Sequence, residues 1–222
     1  MQLIRSQKIA IAAALLPVVV IWLVNGIYLA MLARISVTLF WLADFVQWII
    51  LPAILLWLLA KKASIFPRHY GLDTTAMRWD SLALRSLAVL CTAGLIYFAS
   101  YKLSWQLLNH PSGYFTFPGV FPGGIMGTVV WLYSAATAGL IESIFFIGLP
   151  WLLYHNIRSD PSRIAFTLIT SLVFALAHWE QGPHNIIAAF CFNLAACAWY
   201  FRLDTLWPLV AGHALVDLID FS

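Results

Sequence analysis

Residues 138–153 read "AGLIESIFFIGLPWLL", an apolar run with a single charge, Glu142, inside it. From Ile125 to Asn156 no other Lys, Arg, Asp or Glu interrupts the chain. A membrane-crossing helix needs about 20 predominantly apolar residues, so the stretch predicts one that carries a carboxylate in its middle. A charged side chain within a span costs about 2.5–3.5 kcal/mol on insertion scales and is a functional candidate by default. The reading outward from Glu142 therefore asks whether the whole chain is built for a membrane, and what this carboxylate meets there.

Of 222 residues, 63% are hydrophobic and only 9% charged, where a soluble domain carries roughly 25% charged residues. The composition predicts an integral membrane protein and excludes an ordinary soluble enzyme. With a net charge of +3, the basic residues speak of topology and not of nucleic acid, which is not expected as a partner. The length suits one transmembrane domain over residues 1–222. Cys91, Cys191 and Cys197 all lie in apolar runs, away from any Cys-x-x-Cys or His at ligand spacing, and are expected to be buried small hydrophobes. The basic lead of the N-terminus is like a signal peptide, but its uncharged run from Ile9 to Ala33 outlasts a signal core of about 7–15 residues. A retained first membrane helix is expected.

Seven apolar runs are candidate spans: about 9–32, 36–60, 82–101, 125–156, 163–180, 185–201 and 206–221. The fold class is an all-α polytopic helix bundle. Residues 61–80 form the one long polar linker, and "PSGYFTFPGVFPGG" (111–124) is too broken for a helix and too apolar for a solvated loop. Such backbone lies at the interface or re-enters the bundle, because irregular chain cannot face lipid. With the N-terminus inside, ten basic residues collect on the inner side, and Arg34 and Lys102 alone fall outside. The positive-inside rule then predicts N-terminus in and C-terminus out, in a bacterial inner membrane.

Once interfacial groups are set aside, Asp44, Glu142, His178, His213 and Asp217 remain within the spans. Glu180, His184 and Asp220 are expected to be wet, and Asp44 to serve a structural hydrogen bond or line a cavity. At about 1.5 Å of rise per residue, Glu142 stands about 24 Å above Arg158 and His178 about 22 Å above Arg163. By the same rise, Asp217 stands about 20 Å above Asp204 and His213 about 14 Å. Three helices thus bring ionisable groups toward one slab in the outer half. His213 and Asp217, four apart, share a helix face, as do Phe174 and His178. A carboxylate drawn out of water holds a proton more tightly and can act as a general base near neutral pH. Beside a His it can hold and deprotonate water, while a second His with a short acid one turn away can serve an oxyanion. This is a set for peptide-bond hydrolysis without a Ser or Cys nucleophile.

"ESIFFIG" (142–148), "FALAH" (174–178) and "HALVD" (213–217), the last preceded by "LWPLVAG", resemble the three signature motifs of the CPBP intramembrane proteases. That group contains the type II CAAX prenyl endopeptidases and bacteriocin-processing or immunity (Abi-like) proteins. Its motifs are Glu-Glu-x-x-x-Arg-Gly, Phe-x-x-x-His and His-x-x-x-Asn/Asp, and the resemblance covers about 125–221. It implies that Glu142 and His178 activate water and that His213 and Asp217 support the oxyanion. The first motif departs from the pattern, with Ser143 at the second Glu and Ile147 at the Arg. A register shifted by one would put Glu142 on the second Glu and Phe146 on the Arg. The first register also accounts for Phe145, Phe146 and Gly148.

The expected activity is that of an intramembrane endopeptidase acting on a membrane-associated or exported protein. Two alternatives are an inactive family member serving as an immunity factor or scaffold, and a small proton-coupled transporter. No cofactor is expected. Two His and a carboxylate also make a catalytic zinc set, and the sequence leaves a metal-free glutamate mechanism and a zinc mechanism both open.

Overall fold

The computed structural model describes residues 2–74, 78–114 and 117–221; residues 75–77 of the linker and 115–116 of the Phe-rich connection lie outside the described residues. Among the described residues there are seven principal helices, short 3₁₀ turns and no strand. These are α1 (Arg5–Ile35), α2 (Val37–Ala63), α3 (Trp79–Leu107), α4 (Ile125–Ile157), α5 (Arg163–Leu176), α6 (Pro183–Leu203) and α7 (Trp207–Asp220). Five of them, α1 to α4 and α6, are long and apolar enough to cross a membrane. At 14 residues each, α5 and α7 reach only about 21 Å.

The helix ends follow local chemistry. Ser36, in extended backbone, separates α1 from α2 and accepts a hydrogen bond from the Leu39 amide. Ser162 caps α5 in the same way through the Ala165 amide. Pro183 and Pro208 sit in the first turns of α6 and α7, where the missing N–H costs nothing. In α2, α3 and α4 the turns widen to π geometry, over Val46–Ile50, Leu90–Gly94 and Ala138–Gly148. The last stretch contains the whole "ESIFFIG" motif. Widening frees a carbonyl from its usual partner, and the Thr170 hydroxyl of α5 donates to the Phe146 carbonyl there.

α4 is the centre of the bundle. About 61% of its most apolar window is buried, against 22–39% for the other long helices. Residues 141–149 are buried all round the helix, which is the pattern of a helix enclosed by others. α4 packs against α1, α5 and α7; α7 also packs on α3, and α6 on α3 and α5. Gly148 lets α4 touch the linker, since a Cβ there would lie 2.6 Å from the Tyr70 carbonyl oxygen. Leu16, Ile27, Trp57, Leu95 and Ile164, each well over half exposed, point outward into what must be hydrocarbon. The chain is an integral multi-pass membrane protein.

Several expectations change. The run read as a helix over 163–180 stops at Leu176, and Ala177–Gly182 turns inward against α1. Trp179 Nε1–H donates to the Leu23 carbonyl at 2.8 Å, and the Tyr114 amide donates to the Glu180 carbonyl at 2.7 Å. Glu180 and His184, expected to be wet, are buried as a result, at 3% and 4% exposure. Asp220, also expected to be wet, is half-buried and accepts a bond from Tyr97 Oη at 3.2 Å. Helix α3 continues to Leu107, beyond the expected end at 101. Beyond it the connection does return to the bundle: Val120 packs on Leu29 and Phe40, and its carbonyl accepts from Trp41 Nε1–H at 2.8 Å. Cys197 is buried, but Cys191 is only half-buried and Cys91 faces outward on α3.

Candidate active site

Glu142 projects from the widened turns of α4 into a cavity of the bundle that Asp44, His178, His213 and Asp217 also line. The α4–α7 crossing positions it. A Cβ at Gly139 would lie 2.6 Å from the Val210 carbonyl oxygen and 2.9 Å from the Ala214 amide nitrogen, so only glycine lets the two backbones approach so closely. One turn on, Glu142 meets His213 of α7, with Oε2 3.5 Å from Nε2. Asp217, one turn along α7, places Oδ2 3.6 Å from the same nitrogen. The imidazole of His213 is held by Phe192, ring centroids 4.6 Å apart, with Phe174 at 6.2 Å.

His178 approaches from the other side, its Nε2 3.9 Å from Glu142 Oε1. It sits just past the end of α5, where the helix has unwound. Its Nδ1 lies 2.8 Å from the Phe174 carbonyl oxygen. A carbonyl only accepts, so Nδ1 carries the proton and the neutral ring presents a bare Nε2 to Glu142. The Phe174 ring rests on the imidazole at 4.5 Å and fixes its plane. The motif residue Phe174 thus supplies both the carbonyl and the ring that orient His178.

The four side chains expected from the sequence therefore meet at one point. Glu142, His178 and His213 are 5%, part and 8% exposed respectively, and Asp217 is half-buried. Two imidazoles and two carboxylates are the donor types zinc accepts. Among the described residues, however, no three His, Cys, Asp or Glu side chains converge at metal-holding spacing. As they stand, these groups suit a water between Glu142 and His178. Two acceptors 3.9 Å apart subtend about 90° at a water bonded to each at ordinary length, near the angle between its own O–H bonds.

Asp44 does both things expected of it: it accepts from Tyr133 Oη at 2.9 Å and lines the cavity. Sequence reasoning missed Asn25, Tyr97 and Glu180 on the same wall. The available signal was "HWEQGPHN" (178–185), a polar cluster within an apolar chain that ends its helix in Gly-Pro.

In the first motif, Ser143 Oγ donates to the Gly139 carbonyl at 2.6 Å, and Ile147 is buried. Neither departure from the family pattern leaves a charge stranded in the core.

A family model described as Type II CAAX prenyl endopeptidase Rce1-like matches residues 124–219. No curated protein and no solved structure matches the chain. The matched residues run through α4, α5, α6 and nearly all of α7, and so include Glu142, His178, Phe192, His213 and Asp217. Over that region the chain is similar to the Rce1-like type II CAAX prenyl endopeptidases, a family of proteases.

Proposed function

We propose that the protein is an intramembrane endopeptidase that hydrolyses a peptide bond of a membrane-associated or exported protein. The observation that carries this reading is the bare Nε2 of His178 facing Glu142 at 3.9 Å. A water between them donates one hydrogen to each. As its oxygen adds to the scissile carbonyl carbon, Glu142 takes the proton. The carbonyl oxygen becomes negative and accepts the Nε2–H of His213, with Asp217 Oδ2 3.6 Å from the same nitrogen favouring positive charge there. Collapse of the tetrahedral adduct breaks the C–N bond, and Glu142 returns its proton to the departing amine.

Replacing Glu142 with Gln keeps the shape and removes the base. Cleavage of a candidate substrate by the reconstituted protein should fall roughly 10²–10⁴-fold, and the wild-type rate should survive a zinc chelator. Full cleavage by Glu142→Gln sinks the mechanism. Loss to the chelator with recovery on added zinc replaces it with a metal-dependent one.

A non-enzymatic role, as an immunity factor or scaffold, is favoured by one observation, the loss of the second Glu and the Arg to Ser143 and Ile147. It requires protection that persists when Glu142 and His178 are both replaced.

The topology that goes with the protease reading has seven crossings, N-terminus in, in a bacterial cytoplasmic membrane. In it the short α5 ends within the bilayer, and the irregular Ala177–Gly182 is sheltered by protein and cavity, as unwound backbone at that depth requires.

A further inference from the structure

The cavity that receives Glu142 has a markedly one-sided wall. Five of the chain's nine carboxylates line it, Asp44, Glu142, Glu180, Asp217 and Asp220, whereas none of its twelve Lys and Arg does. Glu142 and Asp217 belong to the set described above, and Asp220 is engaged by Tyr97. Asp44 and Glu180 have no part in that chemistry. Glu180 is 3% exposed, abuts Gly26 of α1, and its Oε2 has no hydrogen-bond partner. The adjacent Asn25, 5% exposed and on the same wall, has an unpartnered Oδ1. Asp44 is 3% exposed and bonded through Tyr133. Buried acceptors left without donors are costly, and a buried carboxylate most of all. A ligand that brings positive charge and several N–H groups would offset this cost.

Resting on the protease reading, we propose that Glu180, Asn25 and Asp44 form a specificity subsite for a cationic side chain of the substrate, arginine in preference to lysine. Separate acceptors on α1, α2 and the turn after α5 suit the five-donor guanidinium fork better than a point charge. A bare metal ion fits less well, because no three acidic or His ligands among the described residues meet at metal spacing. The subsite opens into the same cavity as Glu142. The cation therefore belongs to a residue of the peptide close to the scissile bond, on a substrate otherwise apolar enough to enter the bilayer.

The test uses apolar hexapeptides in pairs, arginine at one position in the first and its neutral isostere citrulline in the second, with every position scanned. Binding to the full chain in lipid nanodiscs is measured by calorimetry in the Glu142→Gln background, which prevents turnover. At one position the arginine peptide should bind about tenfold or more tightly than its twin. Glu180→Gln or Asp44→Asn should bring that ratio close to one. Equal affinities at every position overturn the subsite, as does the absence of binding by any pair. A preference that survives both substitutions overturns the assignment of these residues. The preference is read first with Glu180 and Asp44 intact, so a variant that fails to fold does not protect the proposal. Cleavage of the citrulline peptides by the wild type but not by Glu142→Gln, with no arginine preference, leaves the protease and removes the subsite alone.

Discussion

Ser143 and Ile147 are four apart on one face of α4, both buried, where the motif they resemble has Glu and Arg. An ion pair at that spacing is self-contained, and its joint replacement by a hydroxyl and a butyl group keeps the core neutral. Restoring only one partner should be worse than restoring neither. Ser143→Glu is expected to lose roughly 3–5 kcal/mol, the cost of stranding a buried charge. Adding Ile147→Arg should recover much of it, as read from thermal unfolding in detergent. A stable Ser143→Glu single variant would mean that water reaches this face of α4. At this scale the sequence was informative where cost is intrinsic: Glu142, His178, His213 and Asp217 stood out because ionisable groups are expensive in a span. Glu180 and Asp220 did not, because their burial depends on where a helix stops and which hydroxyl reaches back.

The helices themselves could be read from hydropathy alone, to within a few residues for α4 and α7. Their widened turns could not. Whether the turns at Ala138–Gly148 are α or π depends on what satisfies the displaced carbonyls, here Thr170 of another helix at Phe146. The unwinding after Leu176 depends on tertiary contact in the same way, through Trp179 and the Leu23 carbonyl. The weak point of the α4–α7 crossing is Gly139. Gly139→Ala, whose Cβ would lie 2.6 Å from the Val210 carbonyl oxygen, should push the backbones apart by about half an ångström or more and draw His213 from Glu142. Because positioning errors on this scale are costly in catalysis, cleavage should drop on the order of a hundredfold while far-ultraviolet circular dichroism still reports a helical bundle. Unchanged cleavage would show that the crossing tolerates a methyl group and that Glu142 is positioned by its own helix.

Across the whole molecule, burial grades from the centre outward: α4 enclosed, α1, α2 and α3 exposing wide apolar faces. That gradient is what a lipid solvent permits, since apolar side chains need no shelter from it. Arg158, Asp160 and Arg163 between α4 and α5 should then lie on the cytoplasmic side, and Ser112–Tyr114 on the other. Alkaline phosphatase fused after residue 113 should be active and fused after residue 160 inactive; the reverse pattern would invert the topology. The number of spans was harder to read than their existence. At 14 residues, α5 and α7 fall short of the length of the other five helices, and no hydropathy window shows where a helix stops.

Trp22 and Trp48 lie ring on ring, centroids 4.3 Å apart and planes 19° from parallel, both on the wall of the cavity. Two indoles that close couple their excited states, so the pair should give a circular-dichroism couplet that isolated tryptophans do not. Trp48→Phe should erase it. Anything that enters and parts the rings should dim it, which gives the protein a built-in optical report of occupancy before any bond is cut.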